Sequence, residues 1–537
     1  MIMLGFGKFL KYAAVAAAAL VIVSCGGSGN KKGAAKSGDG VNMPSKENMI
    51  PDAAIMAVKV DADQLCNKAL GDPGSEGRAI WDMCKAYLSM YLGDYGEIGT
   101  LVRNFLKDPS YVGVSFDEPM VLSVSADTEE YSSSQMSVEI YLTTILTDSD
   151  AFVNAVDAVM DLVNEESDYS LTKEVLGDSY TYYVCTLDDG ITVDLGVASK
   201  SAVLRFKAST IAKGQGLKSS MLSLFANGGP EKTEALKAFY ASKADAAFWA
   251  DVDGAIKMAM PVLKESEPSL VAQYKAIMDQ EISTVSELNF NDGETVLEVK
   301  VFGSEDMKAR AMKYNTASTD KYFAYIPSSS VFVANFAVKD FAGIVDEVSK
   351  MGKEYAEAVE YLEEIGIDDE LLAGFPGVIT FALDGTGIDY RDVPGLSLYM
   401  DCDSNVWEYI EEQFGENMDP VAPGAYQISD ELYVVYEDGT LCLTTGYEFW
   451  DSFSSTDLSS EIETGGFAFN MEALPYNLLY DLADEVGCSV GDILDVFSSA
   501  VITMSDDFMA TTLTLNMGDK EHNLLEKIVL IGASSIF

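Results

Sequence analysis

From Ala53 to Val60 apolar and polar positions alternate, the period of a strand with one face against a core. Asp61 ends the run and caps a helix opening at Ala62-Asp63-Gln64-Leu65. Ile50-Pro51 and three small residues precede the strand. The same design returns at Ile326-Pro327-Ser328-Ser329-Ser330, followed by the strand Val331–Phe336. A pattern that recurs at such a distance marks an internal duplication.

The elements between these landmarks follow one order twice. After the first copy, Ile80, Met83, Cys84, Tyr87 and Leu88 sit at helical spacing within 77–91. Strands are expected at 112–116, 119–126 and 135–146. Asp148-Ser149-Asp150 then caps an amphipathic helix over 151–163. Strands 180–186 and 191–197 flank the turn Asp188-Asp189-Gly190, and 202–206 adds another. A second strand-to-helix unit starts at Ala247, with a further helix over 270–278. The hairpin around Asn291-Asp292-Gly293 closes the half.

In the second copy, helices are expected over 338–351 and on to 362, then strands at 377–383 and 395–400. Asp401-Cys402-Asp403-Ser404-Asn405 caps the next helix, and strands 432–436 and 441–445 flank Glu437-Asp438-Gly439. Phe467-Ala468-Phe469-Asn470 opens another strand-to-helix unit, and 500–504 with 509–517 forms a last hairpin. The expected fold is α+β, in two related halves built from strand–helix–strand–strand units, with helices on one face of antiparallel sheets. Hairpins in place of alternating βα units argue against a doubly wound parallel sheet. The expected domains are 46–303 and 320–537, joined by a polar connector over 304–319. The two Ile-Pro strands should superpose, and the Asp188-Asp189-Gly190 turn should fall on Glu437-Asp438-Gly439. A groove between two such bodies is the default place for a ligand.

The N-terminus changes the picture from a fold to an address. Lys8 and Lys11 precede the apolar run Tyr12–Val23, too short for a membrane span of about 20 residues. The run ends in Ile22-Val23-Ser24-Cys25, which resembles the bacterial lipobox. In proteins with that motif the chain is cut before the cysteine and the cysteine carries lipid. Residues 1–24 are therefore read as a signal peptide, Cys25 as the lipidation site and 25–45 as a tether. The Gly/Ser/Ala/Lys-rich part of that tether, 26–40, reaches roughly 20 Å as a random coil.

The lipobox, this tether, the Ile-Pro-x-x-Ala opening and the two diverged halves together resemble uncharacterised two-repeat lipoproteins of Bacteroides-type bacteria, a family of unknown function. The resemblance implies the address and the duplicated layout and carries over no functional residue. In those bacteria, exported surface lipoproteins tend to carry acids directly after the cysteine. Gly26-Gly27-Ser28-Gly29-Asn30-Lys31-Lys32 has none, so the body is expected to face the periplasm from the outer membrane.

Composition narrows the partners. The formal net charge is −51, and loss of residues 1–24 removes two lysines and no acid, taking it to −53. Such a chain is no nucleic-acid binder, since that binding rests on cationic side chains neutralising phosphates. A hydrophobic share of 48% still supports a folded core. The expected partners are a membrane, through lipid on Cys25, and a protein or a glycan.

Chemistry-bearing residues are sparse. His522 is the single histidine, so any triad or histidine-rich zinc site is short of ligands or bases. No nucleophile elbow, phosphate loop or dinucleotide turn occurs, and no cofactor is implied. The reading is a non-enzymatic binding or structural protein, with a surface glycan- or protein-binding lipoprotein and a tethered hydrolase using two of its many carboxylates as the alternatives. Asp401, Asp403, Asn405 and Glu412 have partial calcium-loop spacing. However, Val406 occupies the position that needs glycine, and helix capping explains Asp403 and Asn405 more simply. Cys66 and Cys84 lie on consecutive helices and either pair or stay as buried thiols, as do Cys185, Cys402, Cys442 and Cys488. Trp249, Trp407, Trp450, Tyr180, Tyr182 and Tyr183 are candidate sugar-facing aromatics. Tyr182 and Tyr183 are adjacent and point to opposite faces, so one of them is expected to be exposed.

Overall fold

The structure, a computed structural model, describes residues 44–534 apart from 46–47, 92–95, 127–136, 167–170, 177–179, 189–190, 210–232, 267–270, 279, 351–355, 357–358, 361–368, 376, 386–394, 430–431 and 446–460. The expected signal peptide, Cys25, the tether up to 43, Trp450 and most of the acidic helix ending at 362 lie outside the described residues. Contacts divide the chain into two compact units, Met1–Phe290 with Leu525–Phe537, and Asn291–Leu524. Both combine helices with antiparallel strands, an α+β architecture.

The first unit holds strands β1 (Ala54–Val60), β2 (Met120–Ala126), β3 (Ser137–Ile145), β4 (Leu171–Leu176), β5 (Tyr180–Asp188), β6 (Ile191–Ala198), β7 (Ser201–Ser209), β8 (Ala246–Asp251) and β9 (Ser283–Asn291). Their order in space is β4-β5-β6-β7-β3-β2-β1-β8-β9, antiparallel throughout. The helices are α1 (Ala62–Leu70), α2 (Glu76–Tyr91), α3 (Gly96–Lys107), α4 (Ser149–Glu166), α5 (Glu234–Ala241), α6 (Val252–Ser266) and α7 (Val271–Met278). Asp61 caps α1 as expected, accepting from the Gln64 N–H at 2.9 Å. One sheet face is packed by Phe105, Val112, Phe116 and Met160 against Tyr183, Val197 and Ala202. Near the middle of that face Leu122, Ile140 and Leu204, on three adjacent strands, remain 42%, 36% and 37% exposed.

The second unit holds β10 (Glu294–Phe302), β11 (Asn315–Thr316), β12 (Ser330–Val338), β13 (Gly377–Asp384), β14 (Gly395–Asp401), β15 (Asp419–Ala422), β16 (Ala425–Ser429), β17 (Leu432–Glu437), β18 (Thr440–Thr444), β19 (Gly466–Asn470), β20 (Ser499–Met504) and β21 (Ala510–Asn516). The spatial order is β15-β16-β17-β18-β14-β13-β12-β19-β20-β21-β10, again antiparallel. Its helices include α8 (Glu305–Tyr314), α9 (Phe341–Ser349), α10 (Asp369–Ala373), α11 (Ser404–Phe414), α12 (Tyr476–Val486) and α13 (Val490–Val496), and α14 (Leu524–Ser534) follows them in the chain.

The two Ile-Pro openings have the same local geometry. The Ala54 N–H donates to the Pro51 carbonyl at 3.0 Å, and the Ser330 N–H donates to the Pro327 carbonyl at 3.0 Å. Ile50 and Ile326 are both fully buried.

Several expectations change. The contact boundary falls at 290/291, not 303/304, because β10 pairs with β21 from Glu294↔Asn516 to Lys300↔Ala510. The connector 304–319 is not plain polar chain. It forms α8, whose Ser304 hydroxyl accepts from the Met307 N–H at 3.2 Å, and then β11, paired with β12. The strand expected over 112–116 is a 3-10 turn, Pro109–Val112, followed by an isolated bridge from Val114 to Leu146. There Asp108 caps the Ser110 N–H at 2.9 Å, and Gly113 closes the turn at φ 76°, a conformation that only glycine adopts cheaply. Helices α3 and α5 and strands β4, β15 and β16 were not anticipated.

Candidate functional site

The sheet faces opposite the main helical cores carry buried polar residues, which set what these surfaces can do. In β1, Lys59 points into the interior, and its Nζ donates to the carbonyls of Phe239 (2.8 Å), Tyr240 (3.3 Å) and Ser242 (2.6 Å), with the Phe239 ring 5.6 Å away. Burial lowers its pKa, against the opposing pull of Glu287 and Asp61. In β12, the buried Asn335 Nδ2 donates to Thr319 (3.2 Å), Ile462 (3.0 Å) and Glu463 (3.2 Å). Its Oδ1 accepts from the hydroxyls of Ser318 (3.0 Å) and Thr380 (2.9 Å).

On the same face of the first unit lies a buried ion network. Arg205 grips Asp194 through Nε at 2.9 Å and Nη2 at 2.5 Å, and the Tyr182 hydroxyl donates to Asp194 at 2.8 Å. Glu139 accepts from the Tyr141 hydroxyl and from Lys207 at 2.7 Å, with Arg205 Nη1 at 3.7 Å. Burial would raise the Glu139 carboxyl, but Lys207, Tyr141 and Arg205 hold it below the ordinary value. Burial, and then Glu139, pushes the Tyr141 phenol far up. Arg205, Lys207, Tyr141 and Tyr182 each meet a carboxylate acceptor, so the network specifies packing.

One open concave site of the first unit is on the helical side. A groove of about 590 Å³ runs between α3, the Pro109–Val112 turn and α4, within the size range of small-molecule pockets. Thr100, Leu101, Asn104, Tyr111, Val112, Asn154 and two alanines line it, none of them charged. The neighbouring charged side chains have local hydrogen-bond partners. Arg103 donates back to the Gly99 carbonyl (3.0 Å) and the Thr100 hydroxyl (3.1 Å), while Asp108 caps the turn. Asp148 caps α4 by accepting from the N–H groups of Asp150 and Ala151, both at 3.0 Å. The groove depends on Gly113, since a Cβ there would lie 1.8 Å from the Asp148 carbonyl oxygen. Sequence periodicity missed this site because α3 and the 3-10 turn that form it read as a loop and a strand.

Against known families, residues 46–418 match the one described as Domain of unknown function (DUF4836). The chain belongs to this family. No curated protein matches it. The solved structure of TP0453 in crystal form III matches 50% of this chain and 86% of its own at 10% identity, with a TM-score of 0.25. Overlap that low bears no weight on the fold.

In this member of the family the residues singled out from the sequence are scattered. Asp401 is taken up by Lys321, by the Tyr322 hydroxyl at 2.6 Å and by the Val378 N–H at 2.8 Å. Asp403 sits at the N-cap of α11 without a side-chain cap bond, and Asn405 and Glu412 are exposed on that helix, so the four do not converge on a cation. Among the described residues no group of three His, Cys, Asp or Glu is placed to hold a metal ion. Trp249 is buried, and Trp407 stacks on Tyr436 with centroids 5.1 Å apart.

Tyr180, Tyr182 and Tyr183 are all buried, which corrects the expectation that one of the adjacent pair is exposed. Tyr182 is held by Asp194 on one face, and Tyr183 on the other donates to Asp157 on α4 at 3.0 Å. Both faces of β5 are covered, so alternation does not expose either ring. Cys84 is a free thiol, so the pair Cys66–Cys84 is not formed. Cys185, Cys402, Cys442 and Cys488 are also free. Burial pushes the Cys402 thiol up to about 11, with Asp403 and Asp401 adding to it. His522 Nδ1 lies 2.8 Å from Asp519 within its own turn.

Proposed function

We propose that this chain is a non-enzymatic binding protein of a bacterial cell envelope, held to the outer membrane by lipid on Cys25 with its body facing the periplasm. The observation that carries the reading is the N-terminal series Lys8, Lys11, Tyr12–Val23 and Ile22-Val23-Ser24-Cys25, followed by a Gly/Ser/Lys tether. Among the described residues no helix is long and apolar enough to cross a membrane, which is compatible with a body held from outside the bilayer. The single histidine, bound within its own turn, and the Arg205–Asp194 pair that closes the buried network favour binding over catalysis.

The body is read as a duplication. With β1 set on β12, the order β4-β5-β6-β7-β3-β2-β1-β8-β9 coincides with β15-β16-β17-β18-β14-β13-β12-β19-β20. Ile50 then falls on Ile326 and Lys59 on Asn335. Each of these two donors binds carbonyls in the chain that enters the next strand, β8 or β19. In this register the hairpin at Glu437-Asp438-Gly439, between β17 and β18, answers to the turn between β6 and β7 and not to Asp188-Asp189-Gly190. The unanticipated β15 and β16 shift the count.

Replacing Cys25 by alanine should move the protein from the membrane fraction to the soluble one. Mass spectrometry of the mature N-terminal peptide should find the Cys25 sulfur acylated. Unchanged membrane association, or Cys25 recovered in a disulfide, overturns the anchor.

A further inference from the structure

We propose that the groove between α3, the Pro109–Val112 turn and α4 binds a neutral oligosaccharide. The assignment rests on the binding-protein reading and names the ligand class. Tyr111, on the turn, is 63% exposed and lines the groove. An aromatic of that size left exposed gains contact area on binding, and the apolar C–H face of a pyranose is the flat partner such a ring fits. The side-chain amides of Asn104 and Asn154 line the same groove and make no side-chain hydrogen bond among the described residues. Each amide offers two donors and an acceptor, the set that pairs with vicinal hydroxyls.

Charge selects the class further. No lining residue is charged, and Arg103, Asp108 and Asp148 are committed to their own helix ends or turns. The chain as a whole carries −51, so an anionic ligand would approach against its field. A cationic ligand would find no free carboxylate among the lining residues. A peptide docking by strand addition would need an open sheet edge, and helices and a turn form this groove. An uncharged ligand rich in hydroxyls matches what is left.

The test uses the mature lipoprotein in detergent, titrated by calorimetry with maltotetraose, cellotetraose, xylotetraose and chitotetraose, and with a neutral hydrophilic decapeptide as comparison. At least one saccharide should bind saturably and the peptide should not. Tyr111→Ala should weaken that saccharide about tenfold, as expected for a lost stacking contact, while Tyr111→Phe keeps the affinity. Asn154→Ala should weaken it by a similar order. All three variants should melt with the parent protein, because these side chains are exposed or half-buried. Binding of none of the saccharides, saccharide binding untouched by Tyr111→Ala, or preferential binding of the peptide overturns the proposal. Those outcomes leave the Cys25 anchor standing, and a failed anchor with saccharide binding intact separates the two the other way.

Discussion

At the end of β14 the Asp401 carboxylate gathers Lys321, the Tyr322 hydroxyl and the Val378 N–H. Burial pushes its pKa up, and the three donors outweigh that and hold it below the ordinary 3.8. A carboxyl depressed in the folded state stabilises the protein above its unfolded pKa, and that contribution fades as pH falls through the folded value. Asp401→Asn should therefore cost about 1–3 kcal/mol at neutral pH. The gap to the parent protein should close as pH drops below 3.8. Urea unfolding at neutral pH and near about pH 3 measures it, and parallel acid limbs would refute the pairing. The comparison must be between variant and parent, because burial raises the Asp63 and Asp253 carboxyls and gives them the opposite pH dependence.

At the scale of elements, a strand residue set inward on each sheet ties down the segment that follows. Lys59 and Asn335 break the apolar alternation of β1 and β12, yet both are buried, at 7% and 0% exposure. Each serves three carbonyls that no sheet ladder could reach. Lys59→Met or Asn335→Leu removes these donors from buried and half-buried carbonyls, and each should cost about 2–4 kcal/mol. Hydrogen exchange should speed up at 239–242 in the first variant and at 462–463 in the second. A loss below about 0.5 kcal/mol, the size of an ordinary surface change, would show that the donors are dispensable.

At the scale of the whole molecule, charge and address decide the environment. A chain at −51 repels phosphate-rich and anionic surfaces, so on the proposed reading it is lipid on Cys25 that would supply the membrane attachment. On the same reading, the acid-free stretch after Cys25 means an inward-facing body. Protease added to intact cells should leave the protein whole, and should degrade it once the outer membrane is permeabilised. Efficient shaving of intact cells would place it on the surface instead.

Local signals were legible without the structure. Ile50-Pro51 and Ile326-Pro327 announced the two openings, since a proline that fixes φ ahead of an alternating strand is written in neighbouring residues. Asp61 as a cap, the strands β1 to β3 and the hairpin of β5 and β6 were legible for the same reason. Composition set the charge, on which the expectation of a partner other than nucleic acid rests. Tertiary pairing decided the rest. Strand β10 joins β21, more than 200 residues away in sequence, so no local pattern marks where the first body ends. Tyr182 and Tyr183 both disappear from solvent because each face of β5 has its own cover, and alternation is blind to what lies above a sheet. The groove at Tyr111 exists because Asp108, Pro109 and Gly113 turn the chain against α4, a contact that only the folded chain brings about.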